Sequence, residues 1–219
     1  MSLDNIVYAK PQKLPTMIAY ESASTKILKL IDNSTLKIAF ISLDVNCEIQ
    51  EHITTGDALY YCIEGKVELT SNQENLLLTA KDAVVISRGK KHGGKALMPT
   101  KLMLIVIRTE NVAISCLEKD QIIDIKSIVD NSTTNLDLVQ TNDVSIMLKD
   151  LDDNEVIERI VGNEEVLLVN LEGESDIKID DNYQRFNSEN LIVVANNTIY
   201  SLETSTSTKV IMIKINSKL

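Results

Sequence analysis

The feature of this sequence that most constrains its fold is an internal repeat. When positions 30–107 are shifted by 108 residues, they fall on positions 138–215 without a gap. A Glu-Gly turn in the first copy then coincides with a Glu-Gly turn in the second, and the closing apolar run matches except that Val106 falls on Lys214. An ungapped match of this length indicates two copies of one domain of about 108 residues. The predicted domains are residues 1–115 and 116–219, with a junction near 115–119.

The composition of both copies favours β-structure. Ile and Val make up 44 of the 219 residues, and these β-branched side chains pack well on pleated surfaces but lose rotamer freedom in helices. Short apolar runs are separated by Gly, Asn, Asp and Ser, which tolerate turn geometry. Residues 120–129 alone have a mixed pattern that suits either a short helix or a strand. We predict an all-β chain, with strands that include 36–43, 58–63, 83–87, 101–107, 165–171, 190–195 and 209–215.

Charge, cysteine content and hydropathy exclude several classes of function. A net charge of −10 disfavours nucleic acid as a partner, because nucleic-acid binding requires clustered cations. Cys47, Cys62 and Cys116 are too few for a disulfide framework and lack C-x-x-C spacing, so a reducing compartment is expected. The longest purely apolar run, 102–107, is far shorter than a membrane-spanning helix, and the N-terminus lacks a signal-peptide pattern. We therefore expect a soluble, cytoplasmic protein with neither a membrane nor a nucleic-acid partner.

The protein has only two histidines, His52 and His92, so any chemistry that needs imidazole must use one or both. Their surroundings follow the spacing of a known family. The first motif of that family is Gly, five residues, His-x-His, three or four residues, Glu, six residues and Gly. The corresponding positions in this sequence are Asn46, His52, Thr54, Ala58 and Gly65.

The second motif of the same family is Gly, five residues, Pro-x-Gly, two residues, His, three residues and Asn. The corresponding positions are Lys81, Ser87, Gly89, His92 and Ala96. Both histidines of the protein thus occupy histidine positions of the pattern. On these motifs the first copy resembles the cupin superfamily, and the second copy does so through the repeat. The resemblance implies two tandem cupin-like β-barrels, each a jelly roll or double-stranded β-helix, in a bicupin that we expect to form a homodimer.

The cupin resemblance also implies a candidate metal site. In cupins the histidines of both motifs and the Glu of the first bind a divalent metal inside the barrel. Carried over to this sequence, His52 and His92 can be metal ligands, Thr54 is a poor ligand, and Ala58 cannot bind. A catalytic metal usually has about three protein ligands. Fe, Mn, Ni or Zn would therefore need a further ligand here.

Strand alternation offers partial replacements. Tyr60 and Cys62 share a strand face with Ala58, because side chains on one face recur at every second residue. Cys62 could then supply a thiolate, or a bulge could turn Asp57 inward. The alternative is a metal-free pocket lined by two histidines. The predicted pocket residues are His52, Thr54, Ala58, Tyr60, Cys62 and His92.

The second copy lacks this set of residues. The counterparts of the six pocket residues are Ile160, Gly162, Val166, Leu168, Asn170 and Tyr200. No imidazole, thiol or carboxylate remains at a ligand position. We therefore expect the second domain to have a structural role and no metal chemistry of the cupin type.

A cluster of cations surrounds His92 in an otherwise acidic protein. Its members are Arg88, Lys90, Lys91, Lys95 and Lys101. At the mouth of a cupin barrel, Arg88, Lys90 and Lys91 would raise the local concentration of an anionic ligand. The alternative is that these side chains are solvated turn residues.

The predicted function is that of a bicupin that binds a small molecule, including an anionic one, in its first barrel. One alternative is a metal-dependent enzyme, a dioxygenase or isomerase acting on a small organic acid or sugar derivative. Another is a ligand-sensing subunit without a DNA-binding domain of its own. No nucleophile or acid–base arrangement can be assigned from spacing, so catalytic residues, and enzymatic activity itself, stay open at this point.

Overall fold

A computed structural model of the chain describes residues 7–109, 112, 114, 121–124 and 135–216. Apart from a short 3-10 turn at Leu14–Thr16, the regular secondary structure of these residues consists of β-strands, beginning with β1 at Gln12–Lys13. The prediction of an all-β chain is confirmed, and the predicted strands lie within observed ones, apart from the final residues Ser87 and Ala195. In the described part of the chain, no helix is long and apolar enough to cross a membrane.

The first compact unit, called the first barrel, contains residues 15–124 of the described chain. Its main sheet has the order β2-β3-β8-β5-β7-β9, with β4 paired to β8 and β6 paired to β5. Bulges between Cys62 and Val67 and a φ of 94° at Gly65 bend the long strand β5. Its strands are β2 Thr25–Asp32, β3 Leu36–Leu43, β4 Glu48–Ile53, β5 Asp57–Ser71, β6 Glu74–Thr79, β7 Asp82–Ile86, β8 Lys91–Ile107 and β9 Ile122–Asp124.

The second compact unit, called the second barrel, contains residues 7–14 and 135–216. Its two sheets have the orders β1-β16-β13-β18-β11-β10 and β12-β17-β14-β15. Here β13 and β14 correspond to the single strand β5, and β17 and β18 correspond to β8. Its remaining strands are β10 Asn135–Gln140, β11 Val144–Leu151, β12 Val156–Val161, β13 Glu164–Glu172, β14 Ser175–Ile179, β15 Asn182–Arg185, β16 Asn190–Val194, β17 Ile199–Thr204 and β18 Thr208–Asn216.

The shift of 108 residues found in the sequence also relates the strand pairings. Leu36 pairs with Ile107 in the first barrel, and Val144 pairs with Ile215 in the second. The bounds of β4 and β7 become those of β12 and β16 when 108 is added. The two copies therefore share not only a pattern of apolar residues but also a register of backbone hydrogen bonds.

Two short strands divide the chain differently from the expected domains 1–115 and 116–219. Strand β9 pairs with β7 of the first barrel, although it lies beyond residue 115. Strand β1 pairs with β16 of the second barrel, although it lies at the start of the chain. In each barrel the added strand covers backbone groups of β7 or β16 that would otherwise form a free sheet edge. The expected junction at 115–119 lies outside the described residues, and of 120–129 only residues 121–124 are described.

Alternate strand residues in each barrel form an apolar inner core. The face of β5 that carries Ala58, Tyr60 and Cys62 points into the first barrel, as the strand alternation predicted. The inner core of the first barrel includes Ile41, Leu43, Ala58, Tyr60, Cys62, Val84, Ile86, Leu102, Leu104 and Val106. The corresponding core of the second includes Leu151, Val166, Leu168, Ile192, Val194, Tyr200, Leu202, Val210 and Met212.

The glycines of the repeated Glu-Gly turns are required for space as well as for conformation. Gly65 and Gly173 have φ values of 94° and 92°. A Cβ at Gly65 would overlap the carbonyl oxygen of Pro99, and a Cβ at Gly173 would overlap that of Ser207.

We predict that Gly65→Ala and Gly173→Ala each lower the free energy of unfolding by roughly 2–5 kcal/mol, the sum of left-handed strain and overpacking. Gly89→Ala is the control, because Gly89 has a φ of 80° but open space around its Cβ position. Denaturant unfolding should give it a smaller loss, about 1–2 kcal/mol; equal losses at all three positions would contradict the role of the overlap.

Candidate functional site

The pairing of β4 with β8 brings the two histidines together. His52 lies directly opposite His92 in the antiparallel register. Their ring centroids are 4.3 Å apart and the ring planes are inclined by 51°. Residues separated by forty positions in the sequence thus form one pair of imidazoles, which we call the His pair.

His92 is the buried member of the His pair, with 1% of its surface exposed. Its Nδ1 lies 3.3 Å from the carbonyl oxygen of Lys90, and its Nε2 lies 3.0 Å from the hydroxyl of Tyr60. Because a carbonyl only accepts hydrogen bonds, Nδ1 must carry the proton, and the neutral ring then accepts the Tyr60 hydroxyl hydrogen at Nε2. Burial is the main cause that lowers the pKa of His92. The hydrogen bond to the Lys90 carbonyl opposes this in part, and the neighbouring His52 adds the smallest effect, which lowers the pKa.

His52 is the exposed member of the pair. Its Nδ1 lies 2.9 Å from the carbonyl oxygen of Gln50, so this nitrogen donates to the backbone. Nε2 is the nitrogen that a ligand can use. The pair therefore presents one imidazole to solvent and holds the other in the barrel.

Tyr60 and Cys62 lie in the inner core beside Ala58, but Cys62 does not have the character of a metal ligand. Its Sγ is 3.6 Å from the carbonyl oxygen of Glu64. Burial is the main cause that raises the pKa of the thiol to about 12, and the charges of Asp82 and Glu64 add to it. Without a metal, Cys62 is therefore a protonated thiol at neutral pH, and a metal that bound it would have to displace this proton.

The side chains of Thr54 and Asp57 form hydrogen bonds with backbone groups. The Thr54 hydroxyl donates to the Gly56 carbonyl oxygen over 2.6 Å. The Asp57 carboxylate accepts hydrogen bonds from the amides of Arg88 and Ile114 over 2.9 and 3.0 Å. The suggested bulge at Asp57 is wrong, because β5 pairs with β8 in unbroken register from residue 57 to 62.

The donor set of the first barrel does not fit the metal centre that the cupin motifs imply. Two imidazoles are in place, but Nε2 of His92 is occupied by Tyr60, and neither Cys62 nor Asp57 is available. Across the described ranges, no group of three or more His, Cys, Asp or Glu side chains is placed to hold a metal ion. A resident metal would need at least one ligand from outside this set.

The cationic turn between β7 and β8 borders the His pair. The amide of Gly89 donates to the Thr54 carbonyl oxygen, and the amide of Thr54 donates to the Lys90 carbonyl oxygen. These two hydrogen bonds fix the turn beside β4. Arg88 is exposed and donates to the carbonyl oxygen of Thr109.

Two other members of the cluster are neutralised. Lys91 forms an exposed ion pair with Glu51 at 2.6 Å. Lys101 is buried, pairs with Glu64 at 3.0 Å, also contacts the carbonyl oxygen of Pro15, and lies over the Tyr20 ring. The cluster therefore does not act as one cationic surface, and the attraction of anions by Arg88, Lys90 and Lys91 stays a prediction.

Neither family models nor curated protein sequences match this chain. Solved structures do. The "Cupin 2 conserved barrel domain protein from Leptotrichia buccalis" superposes with a TM-score of 0.84 over 98% of this chain and 100% of its own, at 17% identity. The chain has the cupin fold, in two tandem copies.

Other similar structures are more distant. The salicylate 1,2-dioxygenase from Pseudaminobacter salicylatoxidans gives a TM-score of 0.61 over 86% of this chain and 76% of its own, at 10% identity. AerE from Microcystis aeruginosa gives 0.55 over 94% and 96%, at 14% identity. Identities this low establish the fold of the bicupin and leave its activity to be argued from its own residues.

In the second barrel of the bicupin, Tyr200 takes the place of His92. It pairs with Ile160 across β12 and β17, as His92 pairs with His52. Its hydroxyl is buried and has no hydrogen-bond partner among the residues that the structure describes. Asn170, the counterpart of Cys62, donates to the carbonyl oxygen of Phe186 over 2.7 Å.

The structure brings His52 and His92 side by side and adds a hydrogen bond between Tyr60 and His92 that the sequence did not predict. Alternation indicated that Tyr60 faces inward, and no sequence signal indicated that it reaches β8. The prediction also passed over Lys37, which lies half-buried on the inner face of β3, and gave no role to Lys214. A comparison of the two copies would have found both, because Lys37 has Ser145 as its counterpart and Lys214 has Val106.

The lowered pKa of His92 predicts a pH dependence of stability. The folded state binds fewer protons than the unfolded chain between the lowered pKa and the ordinary value of 6.5. The free energy of unfolding should therefore fall as the pH decreases below about 6.5.

Denaturant unfolding between about pH 5 and pH 8 tests this. His92→Tyr, which installs the residue of the second copy, should flatten the slope between about pH 5 and 6.5, and His52→Ile should keep most of it. A slope that His92→Tyr leaves unchanged would mean that other groups cause the dependence.

Proposed function

We propose that this bicupin binds a small organic anion at the His pair of its first barrel and needs no resident metal to do so. The observation that carries the proposal is the asymmetry of the pair. His52 is exposed, and beneath it His92 is held neutral by burial and by the hydrogen bond from Tyr60.

The His pair is suited to an anion because its two members differ in burial. His52 presents Nε2 to solvent, whereas His92 is buried and binds the Tyr60 hydroxyl. Nε2 of His52 can then donate a charge-assisted hydrogen bond to a carboxylate or phosphate oxygen. His92 supports this ring from below at 4.3 Å between centroids.

Arg88 lies in the turn beside the His pair, and within the described residues its side chain pairs with no carboxylate. Its backbone is fixed by Asp57, and its guanidinium donates to the Thr109 carbonyl oxygen. The Lys90 backbone contacts His92 directly. A fixed cationic turn beside the His pair favours the approach of anions.

The ligand is small because the barrel interior is filled. Behind the His pair, Tyr60 and Cys62 pack with Leu102 and Leu104 in the inner core. A ligand therefore contacts the outer side of the pair and the turn, and does not enter the core.

Binding of acetate or inorganic phosphate tests this proposal. The nitrogen signals of the two imidazoles can be followed by long-range 1H–15N NMR, and the Nε2 signal of His52 should shift upon titration. Added salt should weaken the binding. Arg88→Gln should weaken it roughly 2- to 5-fold, as expected for an exposed charge worth up to about 1 kcal/mol.

Lys29→Gln is the matched control, because Lys29 is an exposed cation of the same barrel that pairs with Asp32. It should leave the affinity unchanged. Binding that is insensitive to salt and to Arg88→Gln, or a titration that leaves the His52 signal in place, would refute the anion site.

Metal analysis separates this proposal from the alternative of a metal-dependent dioxygenase or isomerase. After reconstitution with Fe(II), Mn(II), Ni(II) or Zn(II), elemental analysis of the purified protein should give well under one metal ion per chain. The variant with both His52→Ile and His92→Tyr should give the same value. A stoichiometric metal that either substitution removes would favour the enzyme and contradict our proposal.

A further inference from the structure

Lys214 is the one apolar-to-charged exception in the repeated closing strand, and it lies on the inner face of the second barrel. Val210 and Met212 of β18 belong to the inner core, and Lys214 follows them on the same face. Its counterpart in the first barrel, Val106, packs into the inner core there. The fold therefore accommodates an aliphatic residue at this position and does not need a lysine.

The neighbours of Lys214 form a polar groove. Ser145 of β11 and Val166 of β13 lie directly opposite Lys214 on the two adjacent strands. Ser145, Glu164, Lys214 and Asn216 are among the residues that line a groove of about 210 Å³. Asp143 also lines the groove, which thus presents one cation, two carboxylates and a hydroxyl to one small volume.

Within the described residues, Lys214 and Glu164 are half-buried and have neither an ion pair nor a side-chain hydrogen bond. Half-buried charges without partners cost stability. The Glu164 carboxylate lies over Gly162, since a Cβ at position 162 would be 2.4 Å from Glu164 Oε2. In the first barrel a glycine, Gly56, stands in place of Glu164.

We propose that the second barrel binds a small organic acid whose carboxylate is flanked by a hydrogen-bond donor, such as an α-hydroxy acid or an α-amino acid. The carboxylate pairs with Lys214 and accepts from the Ser145 hydroxyl. The adjacent hydroxyl or ammonium donates to Glu164. This site is separate in sequence and in residues from the His pair, so either can fail without the other.

Glycolate and acetate are the probes, because they differ by one hydroxyl group. Amide NMR of the full chain should show glycolate-dependent shifts at Ser145, Glu164 and Lys214, and glycolate should bind more tightly than acetate. Lys214→Val, which installs the residue of the first copy, should weaken glycolate binding at least about 10-fold through loss of a charge-assisted hydrogen bond. The same variant should be at least as stable as the natural protein to heat, because it removes a half-buried charge without a partner.

Lys37→Ser is the matched control, because it installs the second-copy residue at a lysine on the same layer of the first barrel. It should leave the glycolate shifts in place. Glu164→Gln should bring the affinities for glycolate and acetate close together. The proposal is overturned if neither acid shifts these amides or if the shifts survive Lys214→Val. It is also overturned if glycolate perturbs only His52 and its binding is lost in the His-pair variants.

Discussion

The first barrel depends on the joint bending of β5 and β8, the two long strands that pair along most of their length. Tyr60 lies beside Leu104 in this pairing, whereas His92 lies at the opposite end of β8. In a flat strand, residues 92 and 104 would be about 40 Å apart. The Tyr60 hydroxyl nevertheless lies 3.0 Å from Nε2 of His92. This hydrogen bond can form only because both strands turn back across the barrel, and Gly65 permits the close approach at the bend.

The same bend explains why the site differs from the one that the motif implied. Once His92 is buried within reach of Tyr60, its Nε2 is satisfied and its neutral form is favoured. Such an imidazole is a rigid support rather than a free ligand. Spacing left Cys62 and Asp57 available as metal ligands. In the structure Cys62 is a buried thiol with a raised pKa, and the Asp57 carboxylate accepts hydrogen bonds from backbone amides. A shared barrel fold therefore does not imply that the same side chains are available as metal ligands.

The two copies act as internal references for each other. Where the first barrel has His52 and His92, the second has Ile160 and Tyr200, and where the second has Lys214 and Glu164, the first has Val106 and Gly56. The strand register is the same in both, so these differences are not imposed by the fold. Polar groups that one copy carries and the other lacks are the ones for which a functional reason is needed.

The sequence by itself determined the all-β class and the duplication. Both follow from periodicity and spacing, which strand geometry translates directly into faces and register. That the two histidines share one pocket was an expectation from the cupin resemblance of their motifs. The sequence did not determine the hydrogen bond of Tyr60 to His92 or the hydrogen bonds of Asp57 to two backbone amides. Nor did it determine that β1 pairs within the second barrel and β9 within the first. These features join residues that are distant in the chain, and they depend on how strands bend and which sheet edge is left uncovered. Only the tertiary structure decides such contacts, because local patterns state which face a side chain occupies but not which group it meets there.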